Sequence, residues 1–519
     1  MALFLKPHGD GGATYGASVL LLFANIVLGG ATRAGYLADV LLQFFSLPFL
    51  VLAAWLWLDR LTIPPRPARF SFNLACGAAI AVVGLLIALA QLLPLFGAPG
   101  WGGVSARLVA AGGQGVAGVA WTGSSSVDPA ASLAALPAVL PPLALFLLIA
   151  LLDEERRLRF CGWGLVFGLL ALFLGVLQVM QGPASALRFF EISNRSESVG
   201  FFANRNHFAA QLYVTFLMGV AWFVGRGGKI FLRRAPMSSQ ALWLAGACAM
   251  AVFVMAGLAL ARSRAGILLL LVALAAIVGM APTISVCLRG REVRSGRVRG
   301  PLIVVLAGLV LLVGQLGAER FLVRFEQGLA DQLRAMFNEV TWRAAIDALP
   351  FGTGLATFTA VFPVYEPTDG LTPQYVNRAH DDWLEFFLET GMPGLVLIAL
   401  FLVWFGERLY RIWLVPTSGS SPQKRLLQHC ASVAVLTLLL HSFVDYPLRT
   451  AAMMAYFALC CAFMTPGPDG GRVADAAAER PEAMPSPVRY SPSAPRRPVL
   501  KSGTQRAGSL ASRNGGRPA

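Results

Sequence analysis

Long apolar runs recur from near the start of this chain to about residue 465, and they restrict its fold more than any other feature. A helix needs about 20 apolar residues to cross a bilayer. We predict about twelve membrane spans, near residues 16–32, 38–58, 73–95, 133–152, 161–180, 207–224, 239–261, 265–282, 300–318, 391–407, 427–444 and 449–465. Because backbone in lipid must satisfy its own hydrogen bonds, the expected fold is an all-α polytopic bundle of transmembrane helices.

Basic residues are divided unevenly between the loops, and this sets the expected orientation. If the N-terminus lies inside, most of the 42 Lys and Arg residues fall in cytoplasmic loops or in the tail, as the positive-inside rule requires. The same distribution accounts for much of the net charge of +15, so nucleic-acid binding need not be invoked.

Loop length and composition divide the chain into three expected parts. Residues 1–190 hold N-terminal spans and an external loop at 96–132 that is rich in Gly, Ser and Ala. Residues 191–465 hold further spans and the largest external loop, 319–390, where helical spacing of apolar residues predicts short helices. Residues 466–519 are rich in Pro, Ser, Arg and Gly, which predicts a disordered basic cytoplasmic tail.

The densest group of ionisable residues comes just before the span at 391–407. Four residues separate Asp381, Glu385 and Glu389 from one another, so on a helix they share a face. His380 opens this segment, where the helix dipole disfavours imidazolium and the carboxylates favour it. A histidine between these influences is a candidate general base near neutral pH. The alternative is a solvated acidic rim on a helix.

A second group, Asn204-Arg205-Asn206-His207, stands where an external loop enters a span. Amides, a guanidinium and an imidazole at a helix N-terminus suit phosphate or sugar hydroxyls. Alternatively, Asn204 or Asn206 caps the helix and Arg205 extends to the membrane interface.

Two arginines, Arg262 and Arg264, occupy a very tight external turn between spans, against the positive-inside trend. Guanidinium groups bind phosphate through two hydrogen bonds at once. This favours anion binding over the alternative of anchoring at lipid headgroups.

A third group runs from His441 to Arg449 at the external end of another span. Asp445 could orient His441, four residues earlier, or pair with Arg449 as a structural clasp, and we favour the clasp. Three of the five histidines, His207, His380 and His441, map to the external surface. A shared site is the economical explanation. No spacing predicts a metal site.

Five motifs occur in an order that resembles the O-antigen ligase and O-antigen polymerase superfamily. They are Asn204-Arg205-Asn206-His207-Phe208-Ala209, then Ser263-Arg264-Ala265-Gly266, then Pro350-Phe351-Gly352-Thr353-Gly354, then His380-Asp381 through Glu389-Thr390-Gly391, and last His441 to Arg449. The resemblance covers about residues 190–450.

The resemblance implies a polytopic glycosyltransferase of the bacterial inner membrane, with its active site in the periplasm. Such proteins transfer a glycan en bloc from undecaprenyl pyrophosphate, without a metal or another cofactor. The acceptor is a lipid A-core sugar in ligases and another lipid-linked glycan in polymerases. Membrane lipids and other polysaccharide-assembly proteins are the remaining partners it suggests, in O-antigen or exopolysaccharide assembly.

The resemblance also assigns roles to residues. His380 matches the histidine thought to activate the acceptor hydroxyl, and Arg264 matches the arginine thought to hold the pyrophosphate. Arg205 occupies a second candidate position, where family members often carry another residue, and Arg262 lies beside Arg264. Supporting roles are expected for Asp381, Glu385, Glu389, Asn204, Asn206, His207, His441 and Asp445. Asp381 stands where Asn often follows the histidine.

Three alternatives stay open. Ligase and polymerase share these motifs, so the sequence does not separate them. A transporter or flippase for polysaccharides or lipid-linked oligosaccharides would favour ionisable groups and broken helices at mid-membrane, whereas here the charges gather at one surface. A non-catalytic assembly scaffold is the weakest alternative.

Overall fold

The computed structural model describes residues 11–33, 37–62, 72–93, 104, 125–190, 195–233, 235–291, 299–300, 303–304, 307–308, 311, 329–367, 375–415 and 420–467. All of them lie in the first of two compact units, Met1–Val473. Nearly all of the expected tail and most of the 96–132 loop fall outside the described residues.

Every regular element in these ranges is helical, which confirms the all-α class. The α-helices in chain order are α1 (Gly11–Leu28), α2 (Leu37–Thr62), α3 (Phe72–Leu92), α4 (Pro129–Ala135), α5 (Leu140–Ala150), α6 (Glu154–Gln181), α7 (Arg205–Phe231), α8 (Met237–Ala261), α9 (Arg264–Gly279), α10 (Ala281–Arg289), α11 (Leu329–Asp347), α12 (Phe358–Tyr365), α13 (Asp382–Trp413), α14 (Pro422–His441) and α15 (Ala451–Met464). Short 3-10 segments, Leu136–Val139 and Pro447–Arg449, precede α5 and α15.

Fewer helices qualify as membrane spans than the twelve predicted. Within the described ranges eight are long and apolar enough, with Pro129–Ala150 counted as one, and nine if the α9–α10 pair, bent by 58°, forms one span. The predicted span at 300–318 lies mostly outside those ranges. Helix α15 has only 14 residues, and the first half of α14 carries Lys and Arg. The chain is a multi-pass helical membrane protein.

Helix α7 forms the centre of the bundle and packs against α6, α8 and α14. Most of its membrane-length window is buried. Glycine permits the closest of these approaches, because a Cβ atom at Gly168 of α6 would come within 2.1 Å of Thr215 Oγ1 on α7. Small residues are the usual means by which membrane helices pack closely.

The external loop at 319–390 contains helices, as predicted. Helices α11 and α12 share a small apolar core with the start of α13, formed by residues such as Val340, Phe358 and Leu388. This core fixes the external end of α13, where the densest group of ionisable residues lies.

A break at Gly391 divides α13. Its φ of +60° and ψ of −145° are not helical, and a Cβ atom there would lie 2.3 Å from the carbonyl oxygen of Pro350. The Pro350–Gly354 segment fills the break: Met392 N donates to Pro350 O at 2.8 Å, and Gly354 N donates to Glu389 O at 2.9 Å. This docking joins two of the five sequence motifs.

Candidate functional site

The N-terminal ends of α7 and α13 meet the turn between α14 and α15, and Asp445 lies where they meet. Its carboxylate is fully buried. Oδ1 lies 3.4 Å from His380 Nδ1 and 3.8 Å from His207 Nε2. Two of the three histidines predicted to share a site, His207 and His380, therefore lie around one carboxylate.

Amide groups complete the surroundings of Asp445. Asn204 Nδ2 lies 3.4 Å from both carboxylate oxygens, Asn206 Nδ2 donates to Oδ2, and the Tyr446 backbone N–H donates to Oδ1 at 2.9 Å. Burial opposes ionisation of Asp445, but His207 and His380 outweigh it and hold the pKa of this carboxyl well below its usual range. Asp445 is therefore an anion at neutral pH.

Asn204 combines the two roles considered for its motif. Its side-chain oxygen accepts from Asn206 N at 2.8 Å and so caps α7, as the alternative reading expected. Its amide nitrogen faces Asp445. Asn204 therefore joins the start of α7 to Asp445, and this contact helps to fix the position of His207 in the first turn of α7.

His441 does not pair with the Asp445 side chain. Helix α14 ends at His441, and the chain turns back so that Asp445 N donates to His441 O at 3.0 Å. The imidazole is buried, with Nδ1 3.1 Å from the hydroxyl of Tyr213. The four-residue spacing fails as a guide here because the helix stops within it.

The expected clasp between Asp445 and Arg449 is also wrong. Arg449 instead binds the acidic face of α13: Nη1 lies 2.6 Å from Glu389 Oε2 and 3.6 Å from Glu385 Oε1, and Nε lies 3.6 Å from Asp382 Oδ1. Burial opposes its charge, but the three carboxylates raise the pKa of Arg449 above its usual value. Arg449 therefore forms a structural clasp, but with the acidic face of α13 and not with Asp445.

The acidic face itself differs from the prediction by one residue. Asp381 accepts a hydrogen bond from Leu384 N at 3.0 Å and caps α13, so Asp382 joins Glu385 and Glu389 in its place. All three side chains of the face are buried. A solvated acidic rim is therefore excluded.

Two further residues, Tyr446 and Arg378, were missed by the sequence analysis. The Tyr446 ring stands edge-on between His207 and His380, with centroid distances of 4.8 and 4.9 Å. Arg378 Nη1 lies 2.8 Å from Glu385 Oε1. Burial opposes its charge, yet Glu385 raises the pKa of Arg378. Their only sequence signal was position, one residue after Asp445 and two before His380.

Two of the three arginines predicted to bind pyrophosphate lie around Glu197, which is 2% exposed. Arg205 Nη1 lies 3.0 Å from Glu197 Oε1 and Arg262 Nη1 lies 3.8 Å from the same atom. Arg264 opens α9 directly after its capping residue, Ser263.

The first turn of α9 packs on the first turn of α7. A Cβ atom at Gly266 would meet that of Ala209 at 2.6 Å. The hairpin between α8 and α9 therefore lies beside the helix start that carries Arg205 and His207.

A cavity of about 790 Å³ lies on the other side of the α14–α15 turn. Its walls are mainly apolar and come from α2, α3, α5, α13 and α15, including Gly84, Phe401 and Phe457. Its polar lining includes Arg33, Asp39, Arg378, Asp382 and Arg449. An apolar volume lined by charged groups on one side can accept an amphipathic molecule.

No group of three or more His, Cys, Asp or Glu side chains in the described ranges has the geometry of a metal site. The histidines near Asp445 and the carboxylates near Arg449 form two separate clusters. Metal independence stays a prediction.

Fold and site together define a polytopic α-helical membrane protein with a buried, ionisable site at one end of its bundle. The family model for O-antigen ligase matches residues 249–399, from within α8 to within α13. The predicted resemblance to the O-antigen ligase and polymerase superfamily is thereby confirmed. No curated protein matches the chain.

The matched segment contains Arg262, Arg264, His380 and the acidic face of α13, whereas His207 and Asp445 lie outside it. The matched segment is thus similar to O-antigen ligases, and this similarity favours a membrane enzyme of that broad type. The roles of its individual residues are proposals.

Proposed function

We propose that this protein is a glycosyltransferase of the bacterial inner membrane that acts on its periplasmic side. It transfers a glycan en bloc from undecaprenyl pyrophosphate to a hydroxyl of a saccharide acceptor, either a lipid A-core sugar or another lipid-linked glycan. The observation that carries the proposal is the approach of His380 Nδ1 to the buried carboxylate of Asp445, at 3.4 Å.

His380 is the proposed general base. At 3.4 Å the Asp445 carboxylate favours a proton on Nδ1, which leaves the other ring nitrogen to accept a proton, as in other histidines that a carboxylate orients. The acceptor hydroxyl forms a bond to the anomeric carbon as its proton passes to His380. The bond between that carbon and the pyrophosphate oxygen breaks, and undecaprenyl pyrophosphate leaves.

Arg264, Arg262 and Arg205 are the proposed pyrophosphate-binding groups. Fixed guanidinium groups stabilise the charge that develops on the leaving group, which is a task a metal performs elsewhere. Glu197 holds Arg205 and Arg262 in place before substrate arrives, so little reorganisation accompanies the reaction.

The 790 Å³ cavity is the proposed binding site for the lipid chain of the lipid-linked substrate. A lipid-linked glycan carries a long hydrocarbon and a charged linker. Apolar walls within the bundle suit the hydrocarbon, and the linker is the part proposed to bind Arg264, Arg262 and Arg205.

A strain that lacks the gene tests this function by complementation. Wild type should restore the polymer and His380→Gln should not, although both should reach the membrane in equal amounts. His429→Gln is the matched control. It changes a buried histidine of α14 that lies 12 residues, or roughly 18 Å, from the external end of that helix. Polymer at wild-type yield from His380→Gln would remove the proposed base.

The deletion strain itself separates the ligase from the polymerase. Loss of all polymer on the lipid core indicates a ligase, and single repeats on the core indicate a polymerase. Loss of a secreted polymer with intact lipopolysaccharide indicates exopolysaccharide polymerisation.

A further inference from the structure

The backbone at His380 adopts a conformation that is rarely populated without support from its surroundings. Its φ is +60°, in the left-handed region that residues with a side chain rarely occupy. Such a conformation persists only where surrounding contacts impose it. The contacts on either side of His380 therefore decide where its imidazole lies.

Glu385 makes the contacts on the N-terminal side. Oε2 accepts the backbone N–H of Ala379 at 2.9 Å, and Oε1 accepts Nη1 of Arg378 at 2.8 Å. Both carboxylate oxygens of Glu385 therefore accept hydrogen bonds from the two residues that directly precede His380. Glu385 and Ala379 are fully buried, so water does not compete for these hydrogen bonds.

Asp382 makes the contacts on the C-terminal side. Its backbone N–H donates to Ser442 O at 2.8 Å. Its Oδ2 accepts from Ser442 Oγ at 2.9 Å and from Leu448 N at 3.1 Å. These bonds tie the start of α13 to the turn that carries Asp445. His380 thus lies between two anchors, one of which also holds its carboxylate partner.

We propose that Glu385 is a positioning residue, which holds His380 against Asp445 by fixing Arg378 and Ala379. The proposal rests on the proposed function, in which His380 is the base. Glu385 touches no substrate in this account. It sets the distance between His380 Nδ1 and Asp445, and misplacement of a reacting group by about 1 Å can cost roughly 100-fold in rate.

Two substitutions of Glu385 should weaken the positioning of His380 to different degrees. In the wild-type side-chain position, glutamine replaces one of the two accepting oxygens by an NH₂ group, which cannot accept from Ala379 N or Arg378 Nη1. Alanine accepts from neither. We expect kcat per folded molecule to fall roughly 10-fold in Glu385→Gln and roughly 100-fold in Glu385→Ala, while the KM of the lipid-linked donor stays within about twofold.

Glu339→Gln is the control, because Glu339 is an exposed residue of α11 whose ion pair is with Arg343. It should keep wild-type kcat. Folded protein is quantified by size-exclusion chromatography and thermal unfolding in detergent. If Glu385→Gln lowers only the folded fraction and leaves kcat per folded molecule unchanged, the positioning role is wrong.

A double-mutant cycle with Arg378→Ala gives the decisive readout. If Glu385 acts through Arg378 and Ala379, the combined variant should lose little more kcat than the worse single variant. Fully additive losses would overturn the proposal. Activity of His380→Gln would instead refute the proposed function, so the two failures are distinguishable.

Discussion

At the scale of single residues, Asp445 is the group on which the candidate site depends. It reaches His207 and His380 from a turn that follows α14, and its Oδ1 lies within 4 Å of a ring nitrogen of each. The sequence predicted that external histidines share a site, because hydropathy places them all at one membrane surface. It could not predict their carboxylate, since helical spacing stops being a guide where α14 ends at His441.

Asp445→Asn should lower kcat roughly 100-fold or more while the protein still folds. The amide keeps the shape but removes the charge that fixes and stabilises the His380 imidazole, a contribution typical of general-base catalysis. Steady-state kinetics of the purified protein measure this change in kcat. Asp153→Asn is the control, because Asn caps helices as well as Asp and Asp153 caps the far end of α6. Wild-type kcat in Asp445→Asn would contradict the role.

Arg264→Lys should weaken donor binding although it keeps the positive charge. A lysine ammonium cannot reproduce the two parallel hydrogen bonds of a guanidinium, so the Kd for undecaprenyl pyrophosphate should rise roughly 10-fold or more. Arg264→Ala should be worse. Arg343→Lys, an exposed change on α11, should bind as wild type does. Equal affinity of the Arg264 variants and wild type would remove Arg264 from the phosphate site.

At the scale of elements, the break in α13 connects the chain's motifs. Hydropathy predicted a membrane span at 391–407. The helix instead runs from Asp382 to Trp413 with Gly391 as a break inside it. The pairing of the Pro350–Gly354 segment with this break could not be predicted, because backbone hydrogen bonds between distant segments leave no hydropathy signal.

Gly391→Ala should destabilise the protein by about 1–3 kcal/mol or more, because the residue has a positive φ and its Cβ would collide with Pro350 O. Gly406→Ala in the same helix is the matched control. A Cβ there meets nothing within 4 Å, and alanine favours helix. Thermal unfolding in detergent should show a lower Tm for Gly391→Ala only. A Tm equal to that of wild type would mean that the break is not imposed by Gly391.

At the scale of the whole molecule, the bundle keeps its charged chemistry at one end and its apolar volume inside. Hydropathy predicted the class of fold and most spans, since burial in lipid is a strong and local requirement. Within the described residues it predicted more spans than qualify, as at α15, which has only 14 residues, because tertiary packing decides where helices bend or shorten. The 790 Å³ cavity arises between helices far apart in sequence and leaves no linear pattern.

Transfer should survive chelation of divalent ions. The external arginines supply the positive charge that a metal would otherwise provide, and the carboxylates of α13 are engaged by Arg378 and Arg449. Purified protein assayed with excess EDTA should keep at least about half of its kcat. Loss of activity that Mg²⁺ or Mn²⁺ restores would show that Asp381, Asp382, Glu385 or Glu389 binds a metal.

Reconstitution tests the central claim most directly. Purified protein in liposomes is given a glycan on undecaprenyl pyrophosphate and a saccharide acceptor. Products are then measured by mass spectrometry for wild type, His380→Gln and His429→Gln. We expect one intact glycan transferred for each undecaprenyl pyrophosphate released, by wild type and His429→Gln but not by His380→Gln. Passage of the lipid-linked glycan across the bilayer without transfer, or transfer by His380→Gln at the wild-type rate, would contradict it.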